Sequence, residues 1–239
     1  SISTSLCPCG ESRSTLDSLL APEVIEALVG LLEAKDTSTA AHTWRVVLYT
    51  RALAEKAGVS ADDLERLTAA AALHDIGKIE IPSAILQKPG KLTDDEFEVM
   101  KSHAALGHER LIRMGEDDRV ILDLVRHHHE RFDGMGYPDG LAGDEIPVAA
   151  RYFAVIDSFD AMTSIRPYRR ETGVHAAEKA IAELESGIRT RYCPGTVEMF
   201  VSMYRTGELG WILEYFNDAA DVPKFTGRAD AGVRSSLRS

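Results

Sequence analysis

SADDLERLTAAAALHDIGK, residues 60–78, decides the fold class. Ser60 offers an N-cap oxygen with Asp63 three residues on, and Leu64, Leu67, Ala71 and Leu73 then recur at the steps of one helix face. Gly58 and Gly77 bracket the pattern, so the stretch predicts a helix that starts behind Ser60 and ends near Gly77. His74 and Asp75 stand together at its C-terminal end.

The same period continues on both sides. Leu20, Val24, Leu28 and Leu31 mark a first helix with Pro22 near its start, and a second runs from about Thr39 to Lys56 and stops at Gly58. Thr93 and Glu96 form a capping box, and Phe97, Met100, Ala104 and Leu111 give the next helix its inner face, with His103 beside it. Val120, Ile121, Leu124 and Val125 make a stripe that lands, one turn later, on His128 and His129. The pattern breaks from Phe132 to Pro147, a glycine- and proline-rich loop long enough to suggest function. A helix over Val148–Ser164 carries Asp157 and Asp160 one turn apart, and two more are expected around 176–184 and 197–204. Trp211, Leu213, Tyr215 and Phe216 form a patch that packs back on the bundle. No sustained two-residue alternation competes, so the fold is expected to be all-α. Residues 1–20 read as a mobile N-terminal segment, 21–216 as the domain and 217–239 as a polar tail.

With 44% hydrophobic and 27% charged residues in 239, the chain can bury a core, and no apolar run approaches the roughly 20 residues of a membrane span. The net charge of -11 disfavours non-specific nucleic-acid binding, so a phosphate ligand would need local positive charge. Cys7, Cys9 and Cys193 are too few for a disulfide framework and suit a reducing cytoplasm; Cys7 and Cys9 read as free thiols rather than a metal clip. No basic segment followed by an apolar one opens the chain, so no signal peptide is expected. A start at Ser1 is compatible with a fragment of a longer protein, whose missing part would include any sensory domain.

Five of the eight histidines, His42, His74, His103, His128 and His129, fall at the ends or inner faces of four successive expected helices, which is not a surface scatter. One histidine on an apolar face is more often a satisfied core residue than a ligand. Joined by Asp75 and Asp157, the five become a candidate donor set. Imidazoles and carboxylates suit zinc, iron or manganese, and seven such groups exceed what one ion with open positions uses, so two ions are expected. Two ions roughly 3.5–4 Å apart can acidify a shared water and clamp both oxygens of a cleaved phosphodiester.

HDIGK at His74–Lys78 and HHERFDGMGYPDGL at His128–Leu141 resemble the two signatures of the HD-GYP phosphodiesterase family. KPGKLT at 88–93, MKSHAALG at 100–107 and DSFDAMTSIRPYRR at 157–170 follow in its order, so the resemblance spans roughly Leu31–Arg205. It implies an HD-superfamily helical bundle with additional C-terminal helices, two divalent ions, iron or manganese, and hydrolysis of cyclic di-GMP to pGpG and on to GMP. It makes His42, His74, Asp75, His103, His128, His129 and Asp157 metal ligands, with Asp75 bridging, and gives Asp75 and Lys78 the catalytic roles. Lys78 would hold a phosphate oxygen or protonate the departing ribose oxygen; taken alone it is a solvated lysine complementing a helix end. Arg166 and Arg169 match positions that grip the dinucleotide, and Tyr137 lines the entrance or stacks on a base. Asp160 is counted with the substrate contacts, or orients a ligand from behind. His108, His127 and His175 read as surface residues. Phe132 stands where many members carry tryptophan. Ser38, one turn before His42, stands where members with a third metal carry glutamate, so two ions rather than three are expected. Asp36, six residues before His42, would lie on a different face of a continuous helix.

Other readings stay open. The same chemistry could act on a mixed cyclic dinucleotide or another nucleotide. A di-iron oxygenase is a further alternative, against which Lys78, Arg166 and Arg169 speak. A non-catalytic module would sense the nucleotide or dock a diguanylate cyclase through Gly136-Tyr137-Pro138, although every ligand position is filled. A sensory domain, a diguanylate cyclase and a second copy of the chain are the protein partners considered.

Overall fold

The computed structural model describes residues 21–36, 40–164, 174–216 and 224–227. Among these the chain is helical: α1 (Pro22–Lys35), α2 (Ala40–Ala57), α3 (Ala61–Leu73), α4 (Ser83–Leu86), α5 (Asp94–Lys101), α6 (His103–Arg113), α7 (Arg119–His127), α8 (Val148–Thr163), α9 (Val174–Ser186), α10 (Pro194–Arg205) and α11 (Gly210–Phe216). Short 3-10 turns cover Ile76–Glu80 and Gly143–Glu145. No helix among the described residues is long and apolar enough to cross a membrane.

Local signals set most boundaries. The Ser60 side chain accepts the Asp63 amide at 3.1 Å and opens α3, while the Thr93–Glu96 capping box opens α5. α3 stops at Leu73, short of Gly77, and His74 turns the chain into the 3-10 segment. α2 is the central helix: its buried residues, from Ala41 through Ala54, lie on every side, so it is wrapped rather than laid on a surface. It packs on α3, α8 and α11; α3 continues to α7 and α1, and α9 and α10 cover α8. Tyr49, Phe159 and Phe200 meet edge-on or tilted in the middle, with ring centroids 4.9–5.9 Å apart.

Three expectations about packing fail. The buried face of α1 runs through Ile25, Leu28, Val29 and Leu32, whereas Leu31 is 56% exposed. The single helix expected from Thr93 onward is two, broken at Ser102, so the face that buries Ala104 and Leu111 in α6 does not extend back to Phe97, which is 49% exposed in α5. Within the stretch read as a polar tail, Phe225 is buried against Trp44 of α2, with ring centroids 5.0 Å apart.

One close approach fixes the 3-10 turn on α6. A Cβ on Gly77 would lie 2.5 Å from the Gly107 amide nitrogen and inside contact distance of the His103 carbonyl oxygen, both backbone atoms with little freedom to yield. Gly77→Ala is therefore expected to destabilise the metal-free chain by about 1–3 kcal/mol. Thermal unfolding checks this, and a melting temperature equal to wild type would mean the turn does not seat there.

Candidate metal centre

The helix ends converge. His42 comes from the first turn of α2, His74 caps α3, Asp75 begins the 3-10 turn, His103 opens α6, His128 and His129 follow α7, and Asp157 lies on α8. Two donor groups result: His42, His74 and Asp157 bring ligand atoms within 4.8 Å of one another, and so do His103, His128 and His129. The imidazoles form one contiguous set, His42–His74–His128–His103–His129, with successive ring centroids 5.0–5.4 Å apart.

Asp75 stands between the groups. Its Oδ2 lies 3.2 Å from His74 Nε2, and its Oδ1 lies 3.4 Å from His103 Nε2 and 4.0 Å from His128 Nε2. Oδ2 also pairs with Lys78 Nζ at 2.7 Å, which in turn reaches Asp36 Oδ2 at 3.2 Å. Burial alone would raise the Asp75 carboxyl, but Lys78, His74 and His103 outweigh it and hold it well below the usual carboxylate range.

The histidines are oriented from behind. Nδ1 of His74, His103 and His128 each faces the carbonyl three residues earlier, Ala71 at 2.8 Å, Met100 at 2.6 Å and Val125 at 2.9 Å. A carbonyl can only accept, so each Nδ1 carries a proton and each Nε2 is the nitrogen turned to the cluster. His42 does the same through Asp160 Oδ2, at 2.8 Å. Burial, followed by neighbouring imidazoles, pushes His128 well down and His129 down to about 4, and burial also lowers His103. These rings are neutral at ordinary pH, the form that binds a metal. His74 alone moves up, because Asp75 outweighs its burial. The donor chemistry thus fits metal ions in both groups.

Asp160 lies behind the donor set, its carboxylate turned to His42 and Arg45. It is 1% exposed behind His42, where Arg45 bonds both its oxygens, and Arg45 also donates to Ser164 at 2.7 Å. Tyr137 stands at the rim, its ring 4.9 Å from that of His129. The loop that carries it is fixed by Glu130, a buried carboxylate that accepts the Asp139 and Gly140 amides at 2.8 and 3.1 Å, and by Arg126 and His127, which bond Asp139. His127 is therefore buried, with both ring nitrogens engaged, and not on the surface as its sequence context suggested. Arg166, Arg169, His175, Ser38, Cys7 and Cys9 fall outside the residues whose side chains are described.

Sequence reasoning passed over Arg45, Glu130 and Asp36. Arg45 had a signal: a charge three residues after His42, inside a run of apolar residues. Glu130 had only its place beside two histidines. Asp36 lies on another face only if the helix is continuous; instead α1 ends at Lys35 and Asp36 turns its carboxylate to Lys78.

The HD domain family model matches residues 26–195. A cyclic di-GMP phosphodiesterase of Thermotoga maritima is 43% identical over 182 residues, 76% of this chain and 49% of that protein. 3'3'-cGAMP-specific phosphodiesterase 3 of Vibrio cholerae is 35% identical over 187 residues, 78% of this chain and 40% of that protein. The chain thus spans less than half the length of these curated relatives. The crystal structure of a cyclic GMP-AMP-specific phosphodiesterase of V. cholerae matches with a TM-score of 0.59 at 16% identity, covering 90% of this chain and 57% of that one, a likeness of fold. A family model over most of the chain, relatives of this kind, and HDIGK and GYP stretches that meet at one centre place the protein in the HD domain family, within its HD-GYP branch.

Proposed function

We propose that the chain is a phosphodiesterase that works with two divalent ions, iron or manganese, and hydrolyses cyclic di-GMP to pGpG and on to GMP. The observation that supports this most is Asp75, with one oxygen beside His74 and the other beside His103 and His128, between two three-residue donor groups. When bound, such an ion pair supplies an acidified water and positive charge for the oxygens of the cleaved bond.

The side chains supply the rest. His42, His74 and Asp157 would hold one ion, and His103, His128 and His129 the other, with Asp75 available to both groups. Lys78, positioned by Asp75 and Asp36, is within reach of a phosphate oxygen beside Asp75, and its proton can pass to the departing ribose oxygen. Tyr137 walls the entrance beside His129 and offers an aromatic face. Arg166 and Arg169 are assigned to phosphate or guanine contact, for which a planar guanidinium is suited. The enzyme so read works in the cytoplasm, with a sensory domain, a diguanylate cyclase or a second copy of the chain as its protein partners.

The test is product analysis of cyclic di-GMP incubated with anaerobically prepared iron or manganese protein, alongside elemental analysis. pGpG with two ions per chain is expected; intact substrate with a full metal complement would refute the reading. A third ion is not expected, since the Lys78 ammonium already lies between the Asp75 and Asp36 carboxylates. A relative specific for 3'3'-cGAMP supports a second substrate reading, which a parallel assay of that dinucleotide resolves.

A further inference from the structure

Phe97 should have been buried and is not. It lies half exposed on α5, one turn before Lys101, and the Lys101 ammonium sits 5.6 Å from the Phe97 ring centroid and 5.7 Å from that of Tyr137. Tyr137 in turn lies against His129 of the candidate centre. A cation is thus held between two aromatic rings on the rim of the metal site, a geometry in which the rings orient the charge without neutralising it. Its carboxylate partner is Glu98, 2.6 Å away but 69% exposed, and such a pair exchanges readily for a better anion. Lys78, by contrast, sits between two carboxylates at the candidate centre and is assigned to the phosphate being cleaved.

Resting on the reading above, we infer that Lys101 anchors the phosphate of a cyclic dinucleotide that is not being cleaved, while the open face of Phe97 takes one of its purines. A cyclic dinucleotide carries two phosphodiesters. When one lies at the metals, the other keeps its charge beside a chain of net charge -11, and needs a local cation. The Lys101 ammonium is such a cation, and an aromatic face beside it is what a base stacks on.

The experiment compares wild type with Lys101→Met, Lys101→Arg and Phe97→Leu on two substrates: cyclic di-GMP, and bis(p-nitrophenyl) phosphate, which has one phosphate and no purine. For Lys101→Met, KM for cyclic di-GMP is expected to rise about tenfold more than KM for the single diester, with metal content unchanged. Lys101→Arg should recover most of the difference, and Phe97→Leu should raise KM for cyclic di-GMP selectively. If wild type cleaves cyclic di-GMP and Lys101→Met does so with the same KM, the anchor is wrong while the phosphodiesterase reading stands. Equal losses on both substrates would also overturn it, by placing Lys101 with the general machinery. If wild type cleaves neither cyclic di-GMP nor 3'3'-cGAMP, the phosphodiesterase reading falls first and the anchor with it.

Discussion

Asp75→Ala is expected to lower metal content below two ions per chain and to reduce turnover of cyclic di-GMP by about 10³-fold or more, while the helical fold survives. The asymmetry follows from where Asp75 sits. Its carboxylate touches both donor groups and Lys78 but lies in a 3-10 turn at the edge of the core, so removing it takes away the element common to both groups and little apolar contact. Each group keeps its three other donors, so weak binding of a single ion is the expected residue. Lys78 keeps Asp36 as a partner and is not left as a lone buried charge. Elemental analysis, far-ultraviolet circular dichroism and turnover measured together separate these effects. Turnover at the wild-type rate in a metal-replete variant would remove Asp75 from the centre.

Much of this centre was legible because helix ends announce themselves. Ser60, Gly58 and the Thr93–Glu96 box act within a few residues, so their reading needs no tertiary knowledge. Counting turns from those ends put His74, His103, His128 and His129 at helix ends or inner faces, the resemblance made them one ligand set with Asp75, and the structure gathers the four histidines into two neighbouring groups. Long-range relations were not legible. The break at Ser102 interrupts a helix whose residues read as continuous, and with it the phase that would have buried Phe97. Asp36, just past the end of α1, likewise reaches Lys78, 42 residues on, a pairing that no helical period encodes. The docking of Phe225 on Trp44 joins residues 181 positions apart, a contact that local pattern cannot encode. Arg45 illustrates a different limit: its charge was visible, but whether a buried charge has a partner depends on which helix faces it, here α8.

That partnership carries the largest expected effect on stability. Asp160→Ala is expected to cost about 3–5 kcal/mol, because it breaks a buried ion pair in which the carboxylate takes hydrogen bonds from both Nε and Nη2 of Arg45, itself 5% exposed. In a chain of this size that corresponds to a fall in melting temperature of roughly 6–20 °C. The same change removes the acceptor from His42 Nδ1, so His42 loses the contact that fixes its tautomer and ring plane, and occupancy of the His42–His74–Asp157 group should fall as well. Stability and orientation can be told apart. Replacing the pair together, Arg45→Met with Asp160→Leu, removes both buried charges and should restore much of the stability of the metal-free chain, but it gives His42 no acceptor, so metal occupancy should stay low. Burial would raise the Asp160 carboxyl, but Arg45 and His42 outweigh it and hold it far below the usual range. Its contribution is therefore complete above the unfolded value of about 4, and shrinks as pH falls below that toward the folded value. The difference in unfolding free energy between wild type and Asp160→Ala, measured without metal, should narrow below about pH 4. A double variant that regains both its stability and full metal content would show that Asp160 serves Arg45 alone and does not orient His42.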